Sequence, residues 1–138
     1  MPIGRIVFTD KALPAVQPVN FVLDDGCVII RTAEGTKLAA AMRGTVVAFE
    51  IDDYDALAES GWSVTVVGRA EQVIDAAESA RLARLPLRVW APGSRARFIR
   101  IRPEYIAGRR IPVEQASNGA NKQYRDGEWP GSASLEVG

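Results

Sequence analysis

Arg31, Thr32, Thr36 and Lys37 lie within seven residues of one another in the run "VIIRTAEGTKLAAAMRG", residues 28–44. Two cations, two hydroxyls and the start of a helix are the parts from which a phosphate seat is built. Free N–H groups and the positive end of a helix favour an anion, and an arginine can fork onto two phosphate oxygens. The same run also reads as an ordinary strand–turn–helix with solvated charges. The elements that carry these residues, and the chemistry open to the rest of the chain, decide between the two.

Much chemistry is excluded by what the sequence lacks. None of the 138 residues is a histidine, which removes Ser-His-Asp and Cys-His catalysis and histidine-ligated zinc or haem. The single cysteine, Cys27, can make neither an internal disulfide nor a thiolate metal cage. It follows the turn Asp24-Asp25-Gly26 in an apolar strand and is expected to pack in a core. "EGTKL" lacks the Gly-Lys-Ser/Thr order of a Walker loop, and there is no glycine-rich dinucleotide fingerprint.

Glu50, Asp52, Asp53 and Asp55 invite a divalent cation, but the EF-hand pattern fails because the twelfth residue from Asp53 is Val64. They are expected to be a solvated strand end. Trp62 and Trp90 are candidates either for stacking on a planar ligand or for core packing. Arg95, Arg97, Arg100, Arg102, Arg109 and Arg110 form a basic stretch expected to be solvated or to face a second subunit. Lys plus Arg and Asp plus Glu each number 17, so no global field points to nucleic acid, and any anion site must be local. No apolar run is long enough to span a bilayer and no signal segment opens the chain, which makes a cytoplasmic address the expectation and a membrane partner unexpected.

The elements follow from periodicity and punctuation. "GRIVFTD" (4–10) reads as a strand closed by a turn at "KALP". "AVQPVNFVLDDGCVIIRT" reads as a hairpin about Gly26, with Pro18 placing its strand at an edge or bulge. Thr36 is the expected N-cap of a helix over "KLAAAMR" that presents Leu38, Ala41 and Met42, with Gly44 ending it. "TVVAFEIDDYD" and "GWSVTVVGRAEQVID" are the next strands, the latter with Trp62, Val64, Val66 and Gly68 on one face. A second helix is expected over 76–85, burying Ala77, Ala80, Leu82 and Leu85. "ARFIRIRPEYIAGRRI" is a half-buried strand, and the polar, Gly-rich run from residue 112 is an expected flexible tail. About six strands joined mostly by hairpins, with two short helices, predict a mainly β protein, a small antiparallel barrel.

The order "QPVNFVLDDGCVIIRTAEGTKLAAAMRGTVVAFEIDDYD", "GWSVTVVGRAEQV", "LRVWAPGSRARFIRIRPEYIAGRRI" resembles the pyridoxamine 5'-phosphate oxidase-like FMN-binding split-barrel proteins. It looks most like their short actinobacterial-type, flavin-nucleotide-binding members, and the resemblance covers roughly residues 3–111. It implies a flavin-binding split-barrel domain over residues 1–111 and a tail over 112–138. It implies a homodimer with FMN, or alternatively a deazaflavin coenzyme, in the cleft between subunits. By that resemblance Arg31, Thr32, Thr36 and Lys37 hold the phosphate, and Val19 and Asn20 line the redox-active edge of the ring. Trp62 and Ser63 approach the flavin, and Trp90 closes the site from the second subunit.

Two departures bear on activity. Family members usually begin with a helix before the first strand, whereas here the strand starts almost at once, so the start is truncated or that barrel end is covered otherwise. The oxidase of vitamin B6 metabolism carries an Arg-x-His element for its substrate, and this chain has no histidine. The resemblance therefore implies an FMN-binding oxidoreductase acting on a small organic substrate rather than a true pyridoxamine phosphate oxidase. A deazaflavin-dependent reductase or a non-catalytic flavin carrier are the alternatives. A flavin does its chemistry through its own ring, and no catalytic residue is named.

Overall fold

Two tight turns set the register of the first three strands. Asp25 and Gly26 have φ of 48° and 70°, and Lys11 and Ala12 have φ of 49° and 64°. Consecutive positive values are the twist that joins right-twisted antiparallel strands through a two-residue loop. Gly26 adopts its value without penalty, whereas Ala12 holds a left-handed conformation against its own Cβ.

The computed structural model describes residues 3–87 and 96–112. Its elements are β1 (Ile3–Asp10), β2 (Leu13–Asp24), β3 (Cys27–Ala33), α1 (Lys37–Ala41), β4 (Arg43–Asp55), β5 (Ser60–Gln72), α2 (Ala76–Leu82) and β6 (Ala96–Ile111). The six strands close into an antiparallel barrel in the order β1-β2-β3-β6-β5-β4, as the hairpin pattern predicts. Trp90, Arg95 and the tail from residue 113 onward lie outside the described residues.

The barrel is divided along β2. Residues 13–20 pair with β1, and only from Phe21 to Asp24 does the strand pair with β3. Pro18 sits opposite Arg5 in the part that has β1 on one side alone, which is where a residue without an N–H does no harm. Closure is narrow too, since among the described residues β1 pairs with β4 through Arg5, Ile6 and Val7.

Inside, Ile6, Phe8, Phe21, Ile30, Phe49, Ile99 and Ile101 form the core, and α1 caps it with Leu38 and Met42. Phe21 and Phe49 meet edge to face at 4.9 Å, the arrangement their quadrupoles favour. A second cluster lies on the outer face, where Ile29 and Phe98 are covered by Leu82 and Leu87 from α2 and the residues after it. Cys27 packs against it, as its position after the turn suggests. Gly68 faces Pro103 where β6 bulges at Glu104, and a Cβ there would run into the Arg102 carbonyl.

Three expectations need correction. Met42, not Gly44, ends α1; Gly44, with φ of 70°, instead forms an irregularity in β4 between Arg43 and Thr45. The second helix stops at Leu82, and Ala77 and Ala80 are exposed. The face turned to the sheet carries Glu78 and Ser79, because Glu78 is drawn to Arg100 and the Ser79 hydroxyl donates to the Val73 carbonyl. Trp62 begins the inward-facing row of β5, but it lies beyond the core and is 42% exposed.

Candidate functional site

Alternation along β3 splits the candidate motif. Val28, Ile30 and Thr32 point inward, and Ile29 and Arg31 point outward. Thr32 is buried, and its Oγ1 lies 3.0 Å from Oγ1 of Thr36. The Thr36 hydroxyl donates to the Ala33 carbonyl and accepts from the Ala39 N–H, both at 3.1 Å. Thr32 must therefore be the donor between the two hydroxyls, and neither retains a hydrogen for an anion. Thr36 is the N-cap that the sequence predicts, and Thr32 braces it.

Lys37 stands at the start of α1 with its side chain 82% exposed, 3.8 Å from the Asp10 carboxylate. Next to this loop, Glu34 pairs with Arg97. The cations of the motif thus sit at one rim of the barrel, Lys37 in solvent and Arg31 on the outer wall.

Arg31 is the more constrained. Its Nη1 donates to the Leu87 carbonyl at 3.2 Å, and its guanidinium lies 5.6 Å from the centroid of Phe98. Its Nε is buried without a hydrogen-bond partner among the described residues. One rung away, β2 and β3 part: Phe21 pairs with Ile30, so Asn20 and Arg31 are the next opposed positions, on the outer face. Asn20 is 7% exposed. Val19, its neighbour, belongs to the core. A buried asparagine and a buried guanidinium nitrogen thus stand on the two strands that part at this point.

Trp62 and Ser63 lie elsewhere. Trp62 pairs with Arg110 at the far end of β6, whereas Arg31 pairs with Phe98. The separation of 110 − 98, or 12 residues, amounts to about 40 Å of strand. At that end an open groove of about 360 Å³ is lined by Trp62, Ser63, Tyr54, Asp53, Arg109 and Ile111, among others. Arg5 lies across its acidic side, 3.1 Å from Glu50 and 2.5 Å from Asp52, and Asp55 accepts from the Leu57 and Ala58 N–H groups in the following turn. The carboxylates thus serve as a strand end, in line with the sequence pattern. Along β3, α1 and β6, Arg31, Thr32, Thr36 and Lys37 lie toward one end and Trp62 and Ser63 toward the other, whereas Asn20, opposite Ile3 in β1, is carried by the β1–β4–β5 ladders toward the level of Ser63.

Some participants carry no signal in the sequence. Phe98 and the Leu87 carbonyl reach Arg31 only through the β3–β6 register and the path after α2. The network around α2 was half legible: Glu78 and Arg81 are three apart on one helix, but the arginine also forks onto Asp24 at 3.0 and 2.6 Å. Hydrogen bonds from Arg81 and Arg100 hold the Glu78 carboxyl down at about 2, and Arg81 lowers Asp24 in the same way.

This architecture has relatives. The family model for pyridoxamine 5'-phosphate oxidase matches residues 1–110. The uncharacterized protein Rv0080 of Mycobacterium tuberculosis is 44% identical over 116 residues, covering 80% of this chain and 76% of its own. Among solved structures, the FAD binding protein from Mycobacterium smegmatis is 41% identical with a TM-score of 0.71, covering 81% of this chain and 87% of that one. A Corynebacterium glutamicum protein that carries the pyridoxamine 5'-phosphate oxidase name is 35% identical with a TM-score of 0.72, covering 83% and 84%. The closed barrel split along β2 is the split barrel of these proteins, and the chain belongs to the pyridoxamine 5'-phosphate oxidase family.

Proposed function

We propose that the protein binds a flavin nucleotide and uses it as an oxidoreductase on a small organic substrate. The observation that carries this reading is the buried Arg31 Nε, without a partner among the described residues, in the same motif as the exposed cation of Lys37. The donor set suits the group: a guanidinium and an ammonium for a phosphate, and an amide for the polar edge of a ring. Similarity to the FAD binding protein of Mycobacterium smegmatis supports a flavin.

In this reading Arg31 and Lys37 hold the phosphate end, Asn20 hydrogen-bonds the ring and Val19 backs it. Thr32 and Thr36 act indirectly by fixing the start of α1. A bound flavin supplies hydride or single-electron transfer through its own ring system, so the protein's part is to bind, orient and exclude water. In this proposal Trp62 and Ser63 are contributed by a second copy, so a homodimer is part of it, and Trp90 is assigned to the same contribution. The phosphate reading favours FMN, or a deazaflavin with an equivalent phosphate, while the Mycobacterium smegmatis relative favours FAD.

The absence of histidine argues against oxidation of pyridoxamine 5'-phosphate. Mass and absorbance of the small molecule released from purified protein identify the cofactor, and a flavin is expected. Oxidation of reduced flavin by added acceptors separates an enzyme from a carrier. Formation of pyridoxal phosphate from pyridoxamine 5'-phosphate under air would overturn the exclusion of that substrate.

A further inference from the structure

Arg31 is gripped by two groups from outside the motif to which it belongs. Its Nη1 is engaged by the Leu87 carbonyl, and its guanidinium carbon lies over the Phe98 ring. Phe98 is 3% exposed and is locked among Ile29, Leu82 and Leu87. The contact is fixed by register, since Arg31 and Phe98 are direct partners across β3 and β6. The Arg31 Nε is buried without a partner among the described residues. A guanidinium is planar, so a carbonyl on one edge and a ring on one face leave a defined remainder for a ligand.

We propose that Phe98 is a positioning residue for phosphate recognition. With the Leu87 carbonyl it fixes the plane of the Arg31 guanidinium and so sets the affinity for the phosphate end of the nucleotide. This rests on the flavin reading above. An arginine free at the barrel rim would lose rotamer freedom on meeting a phosphate, whereas the ring and the carbonyl have removed that freedom beforehand. The outer cluster under α2 thereby acquires a second role beside packing: it is the mount of the anion-binding side chain.

Phe98→Leu keeps an apolar side chain and removes the aromatic face. Wild type, Phe98→Leu, Arg31→Ala and the double variant are titrated with FMN and with riboflavin, which lacks the phosphate. Phe98→Leu is expected to weaken FMN by about three- to thirtyfold, to leave riboflavin unchanged, and to add nothing once Arg31 is alanine. Equal weakening of both ligands, or equal weakening with and without Arg31, overturns the positioning role in favour of general packing. A ligand-free readout is the NMR signal of the Arg31 Nε–H group. It is expected to be ring-current shifted and slow to exchange in wild type, and to lose both properties in Phe98→Leu. An unshifted wild-type signal in protein that binds FMN overturns the positioning role alone. A shifted signal in protein that binds no flavin overturns the flavin reading and, with it, the ligand named here.

Discussion

Asn20 and Arg31 stand on strands that part just beyond the Phe21–Ile30 pair; Asn20 is 7% exposed, and the Arg31 Nε is buried without a partner among the described residues. Leaving a buried polar group unpaired costs about 1–3 kcal/mol. If the buried amide of Asn20 serves binding rather than packing, stability and function should part company at this position. Asn20→Leu, close to isosteric, is expected to melt at or above the wild-type temperature while flavin affinity falls about three- to tenfold. Thermal denaturation and flavin fluorescence quenching measure the two effects. A lower melting temperature with intact affinity would make Asn20 a structural residue.

The separation of Trp62 from Arg31 by the length of β6 leads to the second prediction. If both ends serve one ligand, the protein is a dimer, and light scattering should give twice the 15.0 kDa chain mass. Val46 and Tyr105, exposed on the outer face of β4 and β6, are suited to a subunit contact. Tyr105→Glu should shift the scattering mass toward the monomer and weaken flavin binding together. A monomer that binds flavin one to one would remove the role given to Trp62 and Ser63.

Acid should loosen α2 before the barrel. Glu78 has its pKa lowered from 4.5 to about 2 by Arg81 and Arg100, and Asp24 is lowered by Arg81. A carboxyl lowered on folding contributes stability above its unfolded pKa and loses it as pH falls through the folded value. The window is therefore from about pH 4.5 down to about 2. In melts across that range, Glu78→Gln should be less stable than wild type at neutral pH and should show a flatter acid limb. Parallel acid limbs would show that the carboxylate contributes nothing to folding.

Ala12 offers a test of the turn. Its φ of 64° suits glycine, and relief of the left-handed strain is expected to outweigh the extra freedom of an unfolded glycine. Ala12→Gly should stabilise the protein by about 1 kcal/mol, read as a higher denaturant midpoint. A destabilised variant would mean that the Cβ makes contacts worth more than the strain.

The strands were legible because alternation in runs such as Val64-Val66-Gly68 and Ile99-Ile101 reports one buried face, and because Asp25-Gly26 marks a two-residue turn. The N-cap at Thr36 was legible from residue type alone. The buried face of α2 was legible only in part: Leu82 and Leu85 pack as expected, but Ala77 and Ala80 are exposed where Glu78 and Ser79 instead satisfy Arg100 and a strand-end carbonyl. Arg31 and Thr32 were read as one cluster because they adjoin in sequence, but neighbours on a strand face opposite ways. Asn20 owes its burial to β2 passing from β1 to β3, and Phe98 its contact with Arg31 to long-range pairing. Neither relationship has a local pattern.

The phosphate end of the ligand is where the account is most exposed to test. The measurement is a fluorescence titration of wild type and Arg31→Ala with FMN and riboflavin. Arg84→Ala serves as the control, because Arg69 also donates to the Gly44 carbonyl beside α1. A charge-assisted hydrogen bond contributes about 1.5–3 kcal/mol. FMN affinity should therefore fall about ten- to a hundredfold in Arg31→Ala, with riboflavin already weak in wild type and unchanged by the substitution. If riboflavin and FMN bind wild type alike, or Arg31→Ala leaves FMN affinity intact, Arg31 is not a phosphate ligand and the proposed site is wrong.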